Sequence, residues 1–315
     1  MKTLFLYILL LPSIPIFAQQ HDSSSTTVPS HQRDSLPATG NEQTITADNN
    51  RPRSHFGTGL QYLSDNVYTG RNDSTHIPYL SATLGYYHKS GLYAEGILSM
   101  LMDNGNRVDA GILTAGYIFS RGNFDGEISA SKFFYSDLSD NVRSEMTGDL
   151  HANAEYDFNE IIAASVDGYI NFGSKTDYSA RAALEHSFDL FHDHLSIIPT
   201  VSATAGTQHY YDDYYNKRYL SPVVKVSKKK KQRQYPTVVA DMSGASNFTI
   251  LDYELSLPIS YTIHKRLTFS FEPTYAIPLH PAVLTLTTLS TKESIVKVEP
   301  LKNLFYWSFG ITYKL

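Results

Sequence analysis

His151, Ser165 and Asp167 are the residues whose types would support nucleophilic chemistry, because an imidazole, a hydroxyl and a carboxylate make a hydrolytic relay. A hairpin between their two segments puts His151 near Asp167 across neighbouring strands. The same residue types are ordinary parts of a polar wall, so non-enzymatic roles take precedence. Asp212 and Asp213 offer oxygen ligands for a hard cation, but no regular ligand spacing surrounds them, and no metal or other cofactor is expected. Lys228, Lys229, Lys230, Lys231 and Arg233 form a basic run between residues 225 and 233. Such a run can hold phosphate groups as point charges, or simply be a solvated loop tip. The largest chemical set is acidic: Glu95, Asp109, Asp125, Glu127, Asp149, Glu155, Asp167, Glu185, Asp252, Glu254 and Glu272. Only Lys132, Arg181 and His151 temper it. Carboxylates facing one enclosed space would gather cations and repel anions.

The elements that must position these side chains are strands. Met146, Gly148, Leu150, Ala152, Ala154 and Tyr156 alternate with Thr147, Asp149, His151, Asn153 and Glu155. After the turn Asp157–Glu160, Ile162, Ala164, Val166, Gly168, Ile170 and Phe172 alternate with Ser165, Asp167 and Asn171. Successive strand side chains point to opposite faces, so each segment has one apolar and one polar side. Leu251, Tyr253, Leu255, Leu257 and Ile259 oppose Asp252, Glu254 and Ser256 in the same way, and Phe305, Trp307, Phe309, Ile311, Tyr313 and Leu315 oppose Tyr306, Ser308, Thr312 and Lys314. About twelve such segments start near residues 54, 77, 92, 108, 124, 145, 161, 177, 195, 248, 267 and 304.

Connections alternate between short turns and longer loops, notably 211–247 and 276–303. Val283–Val298 is expected as a protruding hairpin that extends its flanking strands, and the tyrosine-rich 209–219 as an aromatic interface belt. Apolar faces rich in Ala, Gly and Tyr, with paired aromatics such as Tyr117/Phe119, Phe133/Phe134 and Phe188/Phe191 near strand ends, fit a closed membrane barrel better than a soluble sandwich. The expected fold is all-β, a single antiparallel up-and-down transmembrane barrel of about twelve strands over residues 54–315.

The rest of the chain agrees. Lys2 followed by Leu4–Leu11 and a small residue at Ala18 reads as a cleaved export signal over 1–18, too short to span a bilayer as a helix. Residues 19–53 are polar and poor in large apolar side chains, and are expected as a disordered periplasmic arm. The chain has no Cys, which excludes disulfides and thiolate metal sites, and its net charge of −5 argues against a nucleic-acid partner. A mean hydropathy of −0.26 suits a barrel, in which only alternate residues meet lipid. Even strand number puts both termini on the periplasmic side and the long loops outside, where the basic run meets lipopolysaccharide.

Two segments carry a resemblance. Ser308, Gly310, Tyr313 and Leu315 resemble the C-terminal signal read by the barrel-assembly machinery, with Leu315 where an aromatic residue is usual. Ser64-Asp65-Asn66-Val67-Tyr68-Thr69-Gly70 and His88-Lys89-Ser90-Gly91-Leu92-Tyr93-Ala94 resemble the opening strand and first turn of the TorF-like porin family of outer-membrane barrels, with Asn66 and Thr69 departing from the pattern. The resemblance implies a porin-like channel for passive diffusion of small solutes. The acidic inner set adds a cation preference. The alternatives are a lipid-modifying barrel enzyme and a non-conducting structural or adhesive barrel acting through its external loops. Oligomeric state is not legible.

Overall fold

The computed structural model describes residues 25–26, 45–46, 53–72, 77–102, 107–139, 141–159, 161–192, 194–220, 238–289 and 291–315. Residues 1–18, expected as an export signal, nearly all of the segment 19–53 expected as a disordered arm, and the basic run of residues 225–233 lie outside them.

Two short strands, β1 (Ser25–Thr26) and β2 (Ile45–Thr46), pair with each other. The wall follows: β3 (His55–Leu63), β4 (Tyr79–Tyr87), β5 (Leu92–Leu101), β6 (Arg107–Arg121), β7 (Phe124–Tyr135), β8 (Gly148–Asp157), β9 (Ala163–Phe172) and β10 (Thr176–Glu185). It continues through β11 (Phe188–Leu190), β12 (Leu195–Ile197) and β13 (Thr200–Gly206). Helix α1 (His209–Leu220) and β14 (Val238–Ser243) precede β15 (Thr249–Ser256), β16 (Ile259–Ile263) and β17 (Leu267–Pro278). The hairpin β18 (Val283–Thr288) and β19 (Ser294–Val298) leads to β20 (Leu304–Lys314).

Every wall pairing is antiparallel, and the sheet closes because β17 pairs with β15, β16 and β20, while β20 pairs with β3. Counting β10 with β11, β12 with β13 and β15 with β16 as single interrupted strands gives a closed barrel of twelve. Pro199 and Pro258 sit at two of the interruptions, where a residue without N–H cannot extend the ladder. No helix among the described residues is long and apolar enough to cross a membrane.

Alternation sets the two faces. On β8, Asp149, His151, Asn153 and Glu155 are buried while Leu150 and Tyr156 are exposed. Around the wall, Leu60, Leu84, Leu98, Leu113, Ile128, Val166, Leu184 and Val201 are each more than half exposed. In water such a belt would be untenable. In lipid it is the apolar band of a spanning barrel, whose ladder runs from strand to strand all the way round and leaves no open edge. Phe119, Phe124, Tyr156, Phe158, Phe188, Phe191 and Tyr261 are exposed near the short-turn end and form an aromatic girdle there. Gly91 makes the first of those turns at φ +93°, and a Cβ there would lie 2.1 Å from the Ile118 carbonyl oxygen.

The faces depart from strict alternation at two bulges near the long-loop end. The register of β5 with β6 slips at Ser99/Met100, so Asp109 and Ala110 are both buried. The register of β13 with β15 slips at Thr204/Ala205, so Leu251 and Asp252 both turn inward. Leu251 therefore leaves the lipid face that alternation assigns it.

Candidate functional site: the acidic inner wall and its cap

The wall's inward row carries the acids. Glu95, Asp109, Asp125, Asp149, Glu155, Asp167, Asp252 and Glu254 are buried, and Glu127, Glu185 and Glu272 are half-buried with inward parity. Lys132 does not join them. It shares parity with Ile128 and Phe134 and is exposed on the outer face. Arg181 is inward and buried.

Many of these carboxylates accept hydrogen bonds from neighbouring hydroxyls. Tyr79 donates to Asp109, whose Oδ2 also accepts from Ser139 at 2.6 Å, while Arg107 approaches Oδ1 at 3.4 Å. Tyr87 donates to Glu95 at 2.7 Å, Tyr93 to Glu127, Ser120 to Asp125, and Tyr306 to Glu254 at 3.0 Å. Arg143 Nη2 stands 3.8 Å from Asp149.

His151 and Asp167 meet, as the hairpin geometry requires. His151 Nε2 lies 3.0 Å from Asp167 Oδ1, which also accepts from Asn153 Nδ2 at 3.1 Å, and Arg181 Nη1 is 3.9 Å from Oδ2. The imidazole stacks on Tyr169 with centroids 4.4 Å apart. Ser165 stays outside this group because it pairs across the ladder with Glu155, whereas His151 pairs with Tyr169. The hydroxyl near His151 belongs to Ser129, 3.5 Å from Nδ1. The proposed Ser165 relay is therefore not assembled.

The sequence reading missed the cap. Residues 209–219 are not an aromatic interface belt. They form α1, whose Tyr210, Tyr211 and Tyr214 are buried with Ala240, Met242, Leu284 and Leu286. The same cluster includes the inward Ile97, Ile112 and Phe133 of β5, β6 and β7, so α1 and its sheet pack into the long-loop mouth. Phe133 belongs to this cluster rather than to a lipid girdle, and Met146 joins it from the loop above β8. The hairpin β18–β19 forms as expected, but it does not extend the wall; β14 pairs with β18 to make a separate three-stranded sheet.

Polar contacts lock the cap. Asp177 on the wall accepts from the backbone N–H groups of His209 at 2.8 Å and Tyr210 at 2.7 Å, which are orphan donors of the first helical turn. Arg71 donates from Nε to Glu299 Oε2 at 3.2 Å and from Nη2 to the carbonyls of Leu279 at 2.7 Å and His280 at 2.8 Å. Tyr211 donates to Glu299 Oε1 at 2.7 Å, and Ala282 N–H to Oε2 at 3.0 Å. Lys217 pairs with Glu145 at 2.8 Å. No local pattern marks Asp177 as a helix cap, because its helix starts beyond the next strand. Asp212 accepts from Met242 N–H at 3.0 Å, and burial pushes its carboxyl above the ordinary range. Among the described residues no cluster of three or more His, Asp or Glu side chains has a metal-holding arrangement.

The fold and inner wall define a transmembrane β-barrel of the outer-membrane type, with a polar interior and a folded cap. No protein-family model and no curated protein matches the chain. Among solved structures, the KdgM porin aligns with a TM-score of 0.45 and 8% identity over 82% of this chain and 99% of that one. The NanC porin aligns at 0.42 and 10% identity, covering 82% and 100% of the two chains. The COG4313 outer membrane channel from Pseudomonas putida F1 aligns at 0.42 and 10% identity, covering 84% and 96%. These alignments are too distant to carry an assignment, and the reading below rests on the barrel's own geometry.

Proposed function

We propose that the protein is a porin-like outer-membrane channel for small solutes, related to the TorF-like porins, with a preference for cations and a mouth restricted by its own cap. The single observation that carries the channel is the polar character of the inner wall. Inward positions around the wall carry amides, hydroxyls and carboxylates, among them Gln61, Thr83, Asp149, Ser165 and Thr274. A spanning barrel whose inner face is polar favours water in its lumen over a dry apolar fill. The surplus of inward carboxylates over Arg181 makes that interior attractive to cations. Export by the 1–18 segment, periplasmic termini, insertion through the Ser308–Leu315 signal and contact of the 225–233 run with lipopolysaccharide phosphates belong to the same proposal.

A second reading has its own observation. Asp109, Asp167 and Asp252 are each 1% exposed and Glu155 is 2%, as in an interior filled by side chains. Such a barrel would act through its external cap instead of conducting. Ion efflux from proteoliposomes separates the two. The channel reading expects potassium efflux to exceed chloride efflux, and to rise in Glu299→Gln. Efflux at the protein-free rate for both proteins, with folding shown by heat-modifiable gel migration, would select the filled barrel.

A further inference from the structure

The outer wall carries a charge and a groove side by side. Lys132 is exposed on the lipid face of β7, between Ala130 and Phe134, and pairs across the ladder with Leu113 on one side and Gly148 on the other. Leu113, Ile128 and Phe134 on the same face are each more than half exposed. Gly148 is the first residue of β8, so Lys132 stands near the long-loop end of the wall. A lysine on the lipid face is costly at mid-membrane and is tolerated only near the headgroups. Among the described residues no carboxylate pairs with it. Next to it the wall is hollowed. A groove of about 850 Å³ has Leu84, Gly96, Leu98, Gly111, Leu113 and Phe134 as its outward lining, so Leu113 and Phe134 border both the groove and Lys132. The ladder explains the hollow. Gly96 stands between Leu84 and Leu113, and Gly111 between Leu98 and Phe134, so each glycine leaves a gap between two large side chains. A Cβ at Gly111 would come no nearer than 3.9 Å to a neighbouring strand, and one at Gly96 no nearer than 3.4 Å, whereas at Gly126 on the same face the Phe119 ring already takes that place.

We propose that this is a binding site for a membrane lipid with an anionic phosphate headgroup, its acyl chain in the groove and its phosphate on Lys132. Charge complementarity selects the occupant. At headgroup level a lysine attracts anionic lipid and holds a phosphate as a point charge. A lipid without net charge would fill the groove but leave the ammonium uncompensated. A second barrel would not supply the counter-charge, because the acids of the wall strands at this end, such as Asp109, Asp149 and Asp252, face inward. The groove takes the chain because its outward lining is apolar and lies within the belt that already meets lipid.

The test is photolabelling of the full chain in phosphatidylcholine vesicles. They contain a minor share of phosphatidylglycerol with a diazirine at the end of one acyl chain, or of phosphatidylcholine carrying the same chain. Labelled residues are located by mass spectrometry, and heat-modifiable migration shows that each variant has folded. The phosphatidylglycerol probe should label the outer faces of β5 and β6 in excess over those of β9 and β10, and the phosphatidylcholine probe should not. Lys132→Gln should cut that excess about fivefold, the loss expected for one lysine near a membrane surface, and Lys132→Arg should keep it. Gly96→Leu/Gly111→Leu fills the gaps and should abolish it. Equal labelling round the wall, an equal excess with both probes, or an excess unchanged in Lys132→Gln overturns the proposal. Protection of β5 and β6 from both probes, which a second copy seated on the groove would give, overturns it as well. Conductance plays no part in the readout, so the outcome is separate from that of the channel reading.

Discussion

Glu299 is the residue through which the cap is tied to the barrel mouth. Its side chain is 9% exposed and faces an Arg71 side chain that is 1% exposed. Glu299→Gln keeps the shape and one acceptor but removes the charge, leaving the Arg71 guanidinium buried beside the carbonyls of Thr69, Leu279 and His280. Breaking a buried ion pair from one side costs about 3–5 kcal/mol, because the remaining charge is uncompensated. If that cost falls on the closed cap, the population of opened caps rises by roughly two to four powers of ten, at about 1.4 kcal/mol per decade. Hydrogen exchange of the α1 amides reads this directly, since helix amides in a packed cap exchange through local opening. The expected outcome is faster exchange across Tyr211–Tyr215, with wall strands such as β8 unchanged. Tyr211→Phe removes one hydrogen bond to the same carboxylate and should give a smaller effect, worth about 0.5–1.5 kcal/mol. Unchanged α1 exchange in Glu299→Gln, or equal acceleration in β8, would refute the view of a separately opening cap held by this pair.

Three further outcomes follow from the same contacts. Asp177→Ala removes the carboxylate that receives the first-turn N–H groups of α1, and should destabilise the helix by about 0.5–2 kcal/mol, read as faster exchange at its N-terminal end. Burial raises the Asp212 carboxyl above its ordinary 3.8, so the closed cap binds a proton more readily than the opened one. This contribution to cap stability is present below about pH 3.8 and is lost as pH rises through the raised value; α1 protection, corrected for intrinsic exchange, should fall over that window in the unaltered protein and less so in Asp212→Asn. Gly91→Ala puts a Cβ against the Ile118 carbonyl at a φ that favours glycine, and should lower the urea midpoint of barrel unfolding without altering α1 exchange in the folded state.

Much of the wall is legible in the sequence because a closed barrel repeats one physical rule. Starts expected near 92, 124, 195, 267 and 304 match β5, β7, β12, β17 and β20 closely, and the acids fall on the inward row because lipid selects the opposite parity. The exceptions are local. A bulge adds one residue and reverses parity, so Leu251 turned inward against the alternation around it. Lys132 was misplaced although its parity with Ile128 puts it on the outer face, where a long aliphatic stem makes a charge tolerable. The cap escaped because nothing local in His209–Leu220 separates apolar from polar positions at a helical period. Tyr210, Tyr211, Tyr214 and Tyr215 supply both packing and hydroxyls, and their helix depends on Asp177, Glu299 and β14, all distant in sequence.

Single-channel recording in a planar bilayer, with a salt gradient across it, tests the central claim most directly. A hydrated acidic lumen under a restricting cap predicts unitary steps with a cation-selective reversal potential, and a higher open fraction in Glu299→Gln at unchanged selectivity. Folded protein that gives no steps in either form, or steps selective for anions, would contradict it.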